Sequence, residues 1–261
     1  MEADPAHTQS RHLVRCEWGP SGAAVVRADH AVVVDVLSFT TTLTVAVEHG
    51  IEVFPYSWKD SRAAEHAMRH GATLAVGRFE ALSRPSARHV SLSPATLAQA
   101  EGIERLVLPS PNGSTISFAL ADIGVTVLGA SLRNATAVAR WLAPRVRRGA
   151  SVVVVPAGER WPDETLRPAV EDLWGAGAVV AGLVAAGVPR EQVSPEAEAA
   201  AQAFGGAGLP QSLMHVASGV ELVDKGFADD VAVASQMDVS EVVPLLRGES
   251  FTDAASAHRH V

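Results

Sequence analysis

Several residue types and patterns are scarce in this 261-residue chain, and each scarcity excludes a class of protein. The single cysteine, Cys16, excludes an intramolecular disulfide framework and any metal site built from paired cysteines. No apolar run reaches the roughly 18 residues that a membrane-spanning helix needs. The first residues are acidic and polar and do not resemble a secretory signal, so a cytoplasmic protein is expected.

Positive charge is also scarce, because 21 Lys and Arg residues face 29 Asp and Glu residues and leave a net charge of −8. The basic residues are scattered along the chain, which argues against a nucleic-acid-binding surface. Hydrophobic residues make up 48% of the chain and charged residues 19%, enough for a sizeable core in one large or two small domains. We therefore expect a globular protein without nucleic-acid or membrane partners.

Common phosphate- and metal-binding motifs are missing as well. The chain has no Gly-x-x-x-x-Gly-Lys-Ser/Thr phosphate loop, no Gly-x-Gly-x-x-Gly motif and no His-Glu-x-x-His motif. Met68-Arg69-His70-Gly71 contains the Arg-His-Gly of histidine phosphatases, but it closes a helical pattern in which Gly71 is expected to cap the helix. The sequence thus disfavours a zinc site and a histidine nucleophile.

What the chain does contain is a regular alternation of β-branched apolar runs and helical patterns. Such an alternation predicts βαβ units, and hence an α/β fold with mostly parallel sheets flanked by helices. The predicted strands are residues 31–36, 52–56, 73–76, 105–108, 125–128 and 151–155. The predicted helices are residues 40–49, 60–70, 114–121, 134–146 and 169–186, with a further helical pattern at 213–225.

Changes in residue composition along the sequence predict that the chain has four parts. Residues 1–12 are expected to be frayed, and residues 13–190 to form the main α/β region with the anion and metal site. Residues 191–247 either pack on that region or form a second lobe with the site between the two lobes. Residues 248–261 are expected to be a flexible tail.

Three short polar clusters, at residues 38–42, 110–115 and 131–134, each follow a predicted strand. Because the carboxyl ends of parallel strands meet at one edge of a sheet, such clusters and the helix N-termini beside them commonly bind anions. We therefore predict a small anionic substrate that is phosphorylated or carboxylated. The residues predicted to bind it are Thr40, Thr41, Thr42, Asn112, Gly113, Ser114, Ser131 and Asn134. Core packing of the threonines and a plain Asn-Gly turn are the alternatives.

Carboxylates near the same strand ends supply the predicted chemistry. The candidates for catalysis and for metal binding are Asp35, Glu159, Glu171 and Asp172. Magnesium prefers oxygen ligands, and a metal that bridges phosphate oxygens and an activated water is a direct route to phosphomonoester hydrolysis. Glu171 and Asp172 could instead be first-turn carboxylates that the helix dipole favours.

Taken together and in order, the motifs resemble the 2-phosphosulfolactate phosphatase (ComB-type) family. The resemblance spans roughly residues 30–245. Its motifs are Asp35-Val36-Leu37 with Thr40-Thr41-Thr42, Pro111-Asn112-Gly113-Ser114, Ala130-Ser131-Leu132-Arg133-Asn134, Ala157-Gly158-Glu159, Glu171-Asp172-Leu173-Trp174-Gly175-Ala176-Gly177, Ser218-Gly219-Val220-Glu221-Leu222 and Asp238-Val239-Ser240-Glu241-Val242-Val243-Pro244. The resemblance implies a fold of the family's own type, Mg²⁺ dependence, and hydrolysis of a phosphate ester beside a carboxylate in coenzyme M synthesis.

The chain departs from the family pattern at Ser38, where an Arg usually follows Asp-Val-Leu. It also has Val76-Gly77-Arg78-Phe79-Glu80 and Ser91-Leu92-Ser93-Pro94 in place of Gly-Glu-Arg and Gly-Asn-Ser-Pro segments. Loss of an Arg removes a bidentate clamp for an anionic group. The departure predicts that a less charged 2-phospho acid is turned over at least as well as 2-phosphosulfolactate, unless Arg78, Arg84, Arg88 or Arg133 replaces the clamp.

Two other classes of function stay open at this point. A non-catalytic anion-binding or regulatory homologue would need only the anion cradle, and a lyase or transferase would act on a related phospho-acid. A homodimer is compatible with each of these predictions.

Overall fold

The computed structural model of the protein describes residues 4–57, 61–83 and 89–258. The strands in these ranges are β1 Val14–Cys16, β2 His30–Val34, β3 Glu52–Tyr56, β4 Thr73–Val76, β5 His89–Ser91, β6 Arg105–Pro109, β7 Thr126–Ala130, β8 Val152–Pro156, β9 Glu159–Arg160, β10 Leu166–Arg167, β11 Pro244–Arg247 and β12 Ser250–Asp253. The helices are α1 Gly19–Val25, α2 Phe39–Glu48, α3 Ser61–Arg69, α4 Arg78–Ser83, α5 Pro94–Leu97, α6 Gly113–Ala121, α7 Ala135–Val146, α8 Val170–Ala185, α9 Pro195–Gly205, α10 Ala217–Asp224 and α11 Ala228–Ala234. Short 3₁₀ turns lie at Pro5–Thr8, Arg190–Gln192, Gln211–His215 and Ala254–His258.

Among the described residues, one ten-stranded mixed sheet has the order β1-β8-β2-β7-β11-β12-β3-β6-β4-β5. The strands β1, β8, β2 and β7 are parallel to one another, and so are β3, β6, β4 and β5. The antiparallel hairpin β11–β12 joins the two groups. The expected α/β class with a mostly parallel sheet flanked by helices is confirmed.

The two faces of the sheet bury separate apolar clusters, as the alternation along β2 requires. Val32 and Val34 face a cluster with α7, α8 and α9, whereas Ala31 and Val33 face one with α1, α2 and α6. In the ranges that the structure describes, no helix is both long enough and apolar enough to cross a membrane.

The predicted elements agree with the structure to within one or two residues over most of the sheet. Strands β3 and β4 have the predicted bounds. Helix α3 ends at Arg69 and Gly71 follows with φ +58°, which confirms that the Arg-His-Gly sequence closes a helix. The pattern at 213–225 is divided at Val216 into a 3₁₀ turn and α10.

In the described part of each predicted terminal segment, residues contact the main sheet or the loops beside it, and the predicted division into four parts stays a prediction. The Gln9 side chain donates to the Cys16 carbonyl (2.8 Å) and accepts from Ser194 Oγ (2.8 Å). Near the other end, Phe251 in β12 is fully buried in the middle of the sheet. The short strands of the terminal hairpin carry too few residues for a periodic signal, and their pairing partners are distant in sequence.

Candidate active site

Asp35 follows β2 and lies where two helices begin. Its Oδ1 accepts a hydrogen bond from the Phe39 N–H (3.1 Å), and its Oδ2 accepts from the Gly113 N–H (3.3 Å) and Ser110 Oγ (3.5 Å). These N–H groups belong to the first turns of α2 and α6. The positive ends of both helices therefore point at one buried carboxylate, a geometry that fixes its orientation.

Asp172 lies in the first turn of α8 and connects two loops at the same sheet edge. Its Oδ1 accepts from the Val36 N–H (2.7 Å) and its Oδ2 from the Gly158 N–H (2.9 Å). Helix α8 can come this close because Gly175 has no side chain: a Cβ there would lie 2.6 Å from Val34 Cγ1. With both oxygens bonded to backbone, Asp172 holds the Asp35 loop against the loop before Glu159.

Glu159 and Glu171 complete the set of four predicted carboxylates. Glu159 Oε2 accepts from Asn112 Nδ2 (3.1 Å), which ties β9 to the start of α6. Glu171 is only 2% exposed, and within the described ranges its carboxylate accepts no hydrogen bond. Of the four side chains, Glu171 is therefore the one with both oxygens available to a ligand.

The four carboxylates interact electrostatically. Burial, together with the charge of Glu171, raises the pKa of Asp35 to about 6. Burial and then the charge of Asp35 raise the pKa of Glu159 to about 7. Burial and the charges of Asp35 and Glu171 also raise the pKa of Asp172 well above its ordinary value. Acidic groups that share a site and titrate near neutrality are typical of catalytic centres.

Two arginines border the cluster. Arg167, on β10, lowers the pKa of Glu159, and its Nη2 lies 3.4 Å from Ser218 Oγ. Arg78 donates from Nη2 to Ser38 Oγ (2.7 Å) and pairs through Nε with Asp230. Arg167 was missed by the sequence analysis, because a two-residue strand carries no recognisable pattern.

The sequence suggested three further arginines as clamps, of which the structure describes Arg133. Arg84 and Arg88 lie outside the described residues. Arg133 donates from Nη2 to Glu48 Oε2 (2.9 Å) and pairs through Nη1 with Gln236. It is thus bound within the fold by its own partners.

Comparison with known proteins connects this geometry to a family. The family model described as 2-phosphosulpholactate phosphatase matches residues 23–249. The chain belongs to this family. A relative from Thermus thermophilus, described as a probable 2-phosphosulfolactate phosphatase, is 29% identical over 231 residues, which are 87% of this chain and 92% of the relative. The protein is therefore a phosphatase, that is, a phosphoric monoester hydrolase.

The three threonines of this family member are buried and hydrogen-bonded within the fold. Thr40 Oγ1 donates to the Asp35 carbonyl (2.8 Å) and accepts from the Asp35 N–H (2.9 Å). Thr41 donates to the Val36 carbonyl (2.7 Å), and Thr42 donates to a carbonyl of the loop before α5 (3.0 Å). These bonds hold the Asp35 loop in place, and a direct role in substrate binding stays a prediction.

Three further predicted substrate-binding residues also form hydrogen bonds with backbone groups of the fold. Ser114 donates to the Leu108 carbonyl (3.3 Å). Asn134 accepts from the Ser131 N–H (2.8 Å) and donates to the Val242 carbonyl (3.1 Å). Of the predicted binding set, Asn112 and Gly113 are the residues that contact the carboxylates Glu159 and Asp35.

The Mg²⁺ predicted from the sequence requires oxygen ligands, and the carboxylates of the candidate site are of that kind. In the part of the chain that the structure describes, no three His, Cys, Asp or Glu side chains form a ready-made metal cage. Magnesium, however, usually takes one or two protein carboxylates and completes its octahedron with water and substrate phosphate. The all-oxygen set around Asp35 and Glu171 fits that mode of binding, and Mg²⁺ dependence stays a prediction.

Proposed function

We propose that this phosphatase hydrolyses the phosphate ester of a small 2-hydroxy acid, with 2-phosphosulfolactate as the best candidate, and that it requires Mg²⁺. The observation that carries the proposal is the meeting of the α2 and α6 N-termini on Asp35, with Glu159 and Glu171 close enough to raise carboxyl pKa values. The descriptions of the family and of the Thermus thermophilus relative support the substrate.

The charge balance of the site supports a cation requirement. Four carboxylates would repel a phosphate dianion, and Arg167 is the cation whose charge lowers the pKa of Glu159. A multiply anionic substrate therefore needs further positive charge beside it. Glu171, whose carboxylate accepts no hydrogen bond within the described ranges, would hold Mg²⁺ beside Asp35. When bound, the metal would offset their charge and polarise the phosphoryl oxygens.

The protein's own groups can supply the proton transfers. Asp35 is fixed by three donors and accepts a proton from the attacking water as the new P–O bond forms. Glu159, held at Oε2 by Asn112, donates a proton from Oε1 to the leaving alcohol oxygen as the ester P–O bond breaks. The products are the 2-hydroxy acid and inorganic phosphate. In the metal-free protein, the pKa values of about 6 for Asp35 and about 7 for Glu159 already lie near neutral pH, as expected of a catalytic base and acid.

Release of inorganic phosphate from three substrates tests this proposal. We expect kcat/KM for 2-phosphosulfolactate and 2-phospholactate to exceed that for p-nitrophenyl phosphate, which lacks a carboxylate, by about tenfold or more. Chelation of divalent metal should abolish turnover, and added Mg²⁺ should restore it. Equal turnover of all three compounds would contradict the substrate class, and full activity in chelator would contradict the metal requirement.

A further inference from the structure

Arg78, at the start of α4, is held more firmly than a surface arginine. Only 17% of its side chain is exposed. Its Nε pairs with Asp230 Oδ2, and its Nη2 donates to Ser38 Oγ (2.7 Å). Bonds on two sides fix the plane of the guanidinium, and a fixed guanidinium suits the recognition of an oxyanion.

Asp230 anchors this arginine because its carboxylate is itself fixed. It is 1% exposed and lies in the first turn of α11. Besides Arg78, it accepts hydrogen bonds from Ser93 Oγ and from the Ala95 N–H (3.2 Å) at the start of α5. Asp230 is therefore a positioning residue that joins α4, α5 and α11 and orients the guanidinium of Arg78.

The guanidinium reaches the loop that carries Asp35. Ser38, its hydrogen-bond partner, directly precedes Phe39, whose N–H donates to Asp35 Oδ1 (3.1 Å). Among the described residues, no group accepts a hydrogen bond from Arg78 Nη1. A cation with an available donor thus stands beside the Asp35 loop, whereas Arg167 interacts with Glu159.

We propose that Arg78 is a specificity-determining residue that binds the sulfonate of the substrate. The inference rests on the proposed function, because it assigns a binding partner within the same site. It reverses the preference that Ser38 alone implied: with Arg78 in place, the sulfonated 2-phospho acid is the better substrate. Asp230 and Ser38 contribute by orienting the guanidinium.

Steady-state kinetics of variants on two substrates test this role. Arg78→Gln should lower kcat/KM for 2-phosphosulfolactate by about ten- to a hundredfold, mainly through KM, and that for 2-phospholactate by less than about threefold. Arg78→Lys keeps the charge but lacks the planar guanidinium. Its kcat/KM for 2-phosphosulfolactate should lie between those of Arg78→Gln and the unmodified enzyme. Arg190→Gln is the matched control, because Arg190 is 70% exposed and pairs with Glu198 on α9.

Product inhibition separates binding from a merely structural role. In Arg78→Gln, the inhibition constant of 3-sulfolactate should rise about tenfold or more while that of inorganic phosphate stays unchanged. Ser38→Ala removes one hydroxyl and leaves the Asp230 pair intact. It should lower kcat/KM for 2-phosphosulfolactate and raise the inhibition constant of 3-sulfolactate, each by a smaller factor than Arg78→Gln does.

Two results would overturn the inference: an equal loss on both substrates in Arg78→Gln, or no change on either. These results differ from a failure of the proposed function, in which the unmodified enzyme would hydrolyse neither compound.

Discussion

At the scale of single residues, Gly113 shows how closely the site is packed. Its N–H donates to Asp35, and a Cβ at this position would lie 2.3 Å from Cδ1 of Phe39, whose own N–H donates to the other Asp35 oxygen. A side chain at position 113 must therefore displace Gly113 or Phe39, two of the three groups that donate to Asp35.

Gly113→Ala should lower kcat/KM about tenfold or more and the free energy of unfolding by about 1–3 kcal/mol, because the added methyl overpacks the contact with Phe39. Enzyme kinetics and urea denaturation measure the two effects. Gly205→Ala is the control, since no atom lies within 4 Å of the position that its Cβ would take. Equal activity of the two variants would show that the Phe39 contact does not orient Asp35.

Glu159 provides a prediction about pH. Its pKa in the folded protein is raised from 4.5 to about 7, so the folded state favours the protonated form. The unmodified protein should lose stability as pH rises from about 4.5 to about 7. Glu159→Gln carries no such charge, so its stability relative to the unmodified protein should be about 3 kcal/mol greater at pH 8 than at pH 4.

Urea denaturation at the two pH values measures this difference, with Glu241→Gln as the control because the Glu241 side chain is 84% exposed. The same stability difference at both pH values would contradict the raised pKa of Glu159.

Sequence reasoning predicted which carboxylates lie together more readily than it predicted the hydrogen-bond partners of the hydroxyls. Asp35 follows a strongly apolar run, and Glu171 and Asp172 precede a long apolar helix, so local pattern alone points to them. The hydroxyls of Thr40 and Thr41 lie at equally suggestive positions, but their hydrogen-bond partners are backbone groups that only the folded structure reveals. Residue type and position predict a neighbourhood rather than the direction in which a hydroxyl points.

At the scale of elements, α8 determines where the acidic pair lies. Gly175 lets this helix approach β2, and Glu171 and Asp172 lie one turn before it. On another part of the same helix, Gly177 faces α9: a Cβ there would lie 2.0 Å from the Ala200 carbonyl oxygen. Gly175 therefore allows the acidic pair to reach its position, whereas Gly177 allows α8 to pack against α9.

Gly175→Ala should lower kcat/KM by about tenfold or more, because a Cβ 2.6 Å from Val34 Cγ1 pushes the start of α8 away from Asp35. Gly177→Ala should cost at least as much stability but reduce activity less. Kinetics at a temperature where both variants are folded, checked by thermal unfolding, make the comparison. A larger loss of activity in Gly177→Ala would contradict this division of roles.

The long helices and buried strands were predictable for the same reason: periodic runs of apolar residues identify them locally. Helices α4, α5 and α11, each seven residues or shorter, gave no such signal. Helix α4 nevertheless carries Arg78, and α11 carries Asp230. Contacts between segments distant in sequence bring these two residues together beside the Asp35 loop. Local sequence patterns do not predict which short elements pack together when they are distant in the chain.

At the scale of the whole molecule, two parallel strand groups are joined by a hairpin from the C-terminal part of the chain. The carboxyl ends of β2 and β6 come from different groups, and they meet where Gly113 donates to Asp35. The alternation of elements predicted the α/β class, but the place of β11 and β12 in the middle of the sheet depends on tertiary pairing. The site is therefore a product of the assembled sheet.

The most direct test of this account measures Mg²⁺-dependent release of inorganic phosphate from 2-phosphosulfolactate by the unmodified enzyme and by Asp35→Asn. Asn keeps the shape of Asp35 and one oxygen acceptor but removes the charge, so the variant should stay folded in thermal unfolding. We predict steady turnover by the unmodified enzyme and a loss in kcat of about a hundredfold or more in the variant. Comparable turnover by folded Asp35→Asn would contradict the account, because it would remove Asp35 from the chemistry.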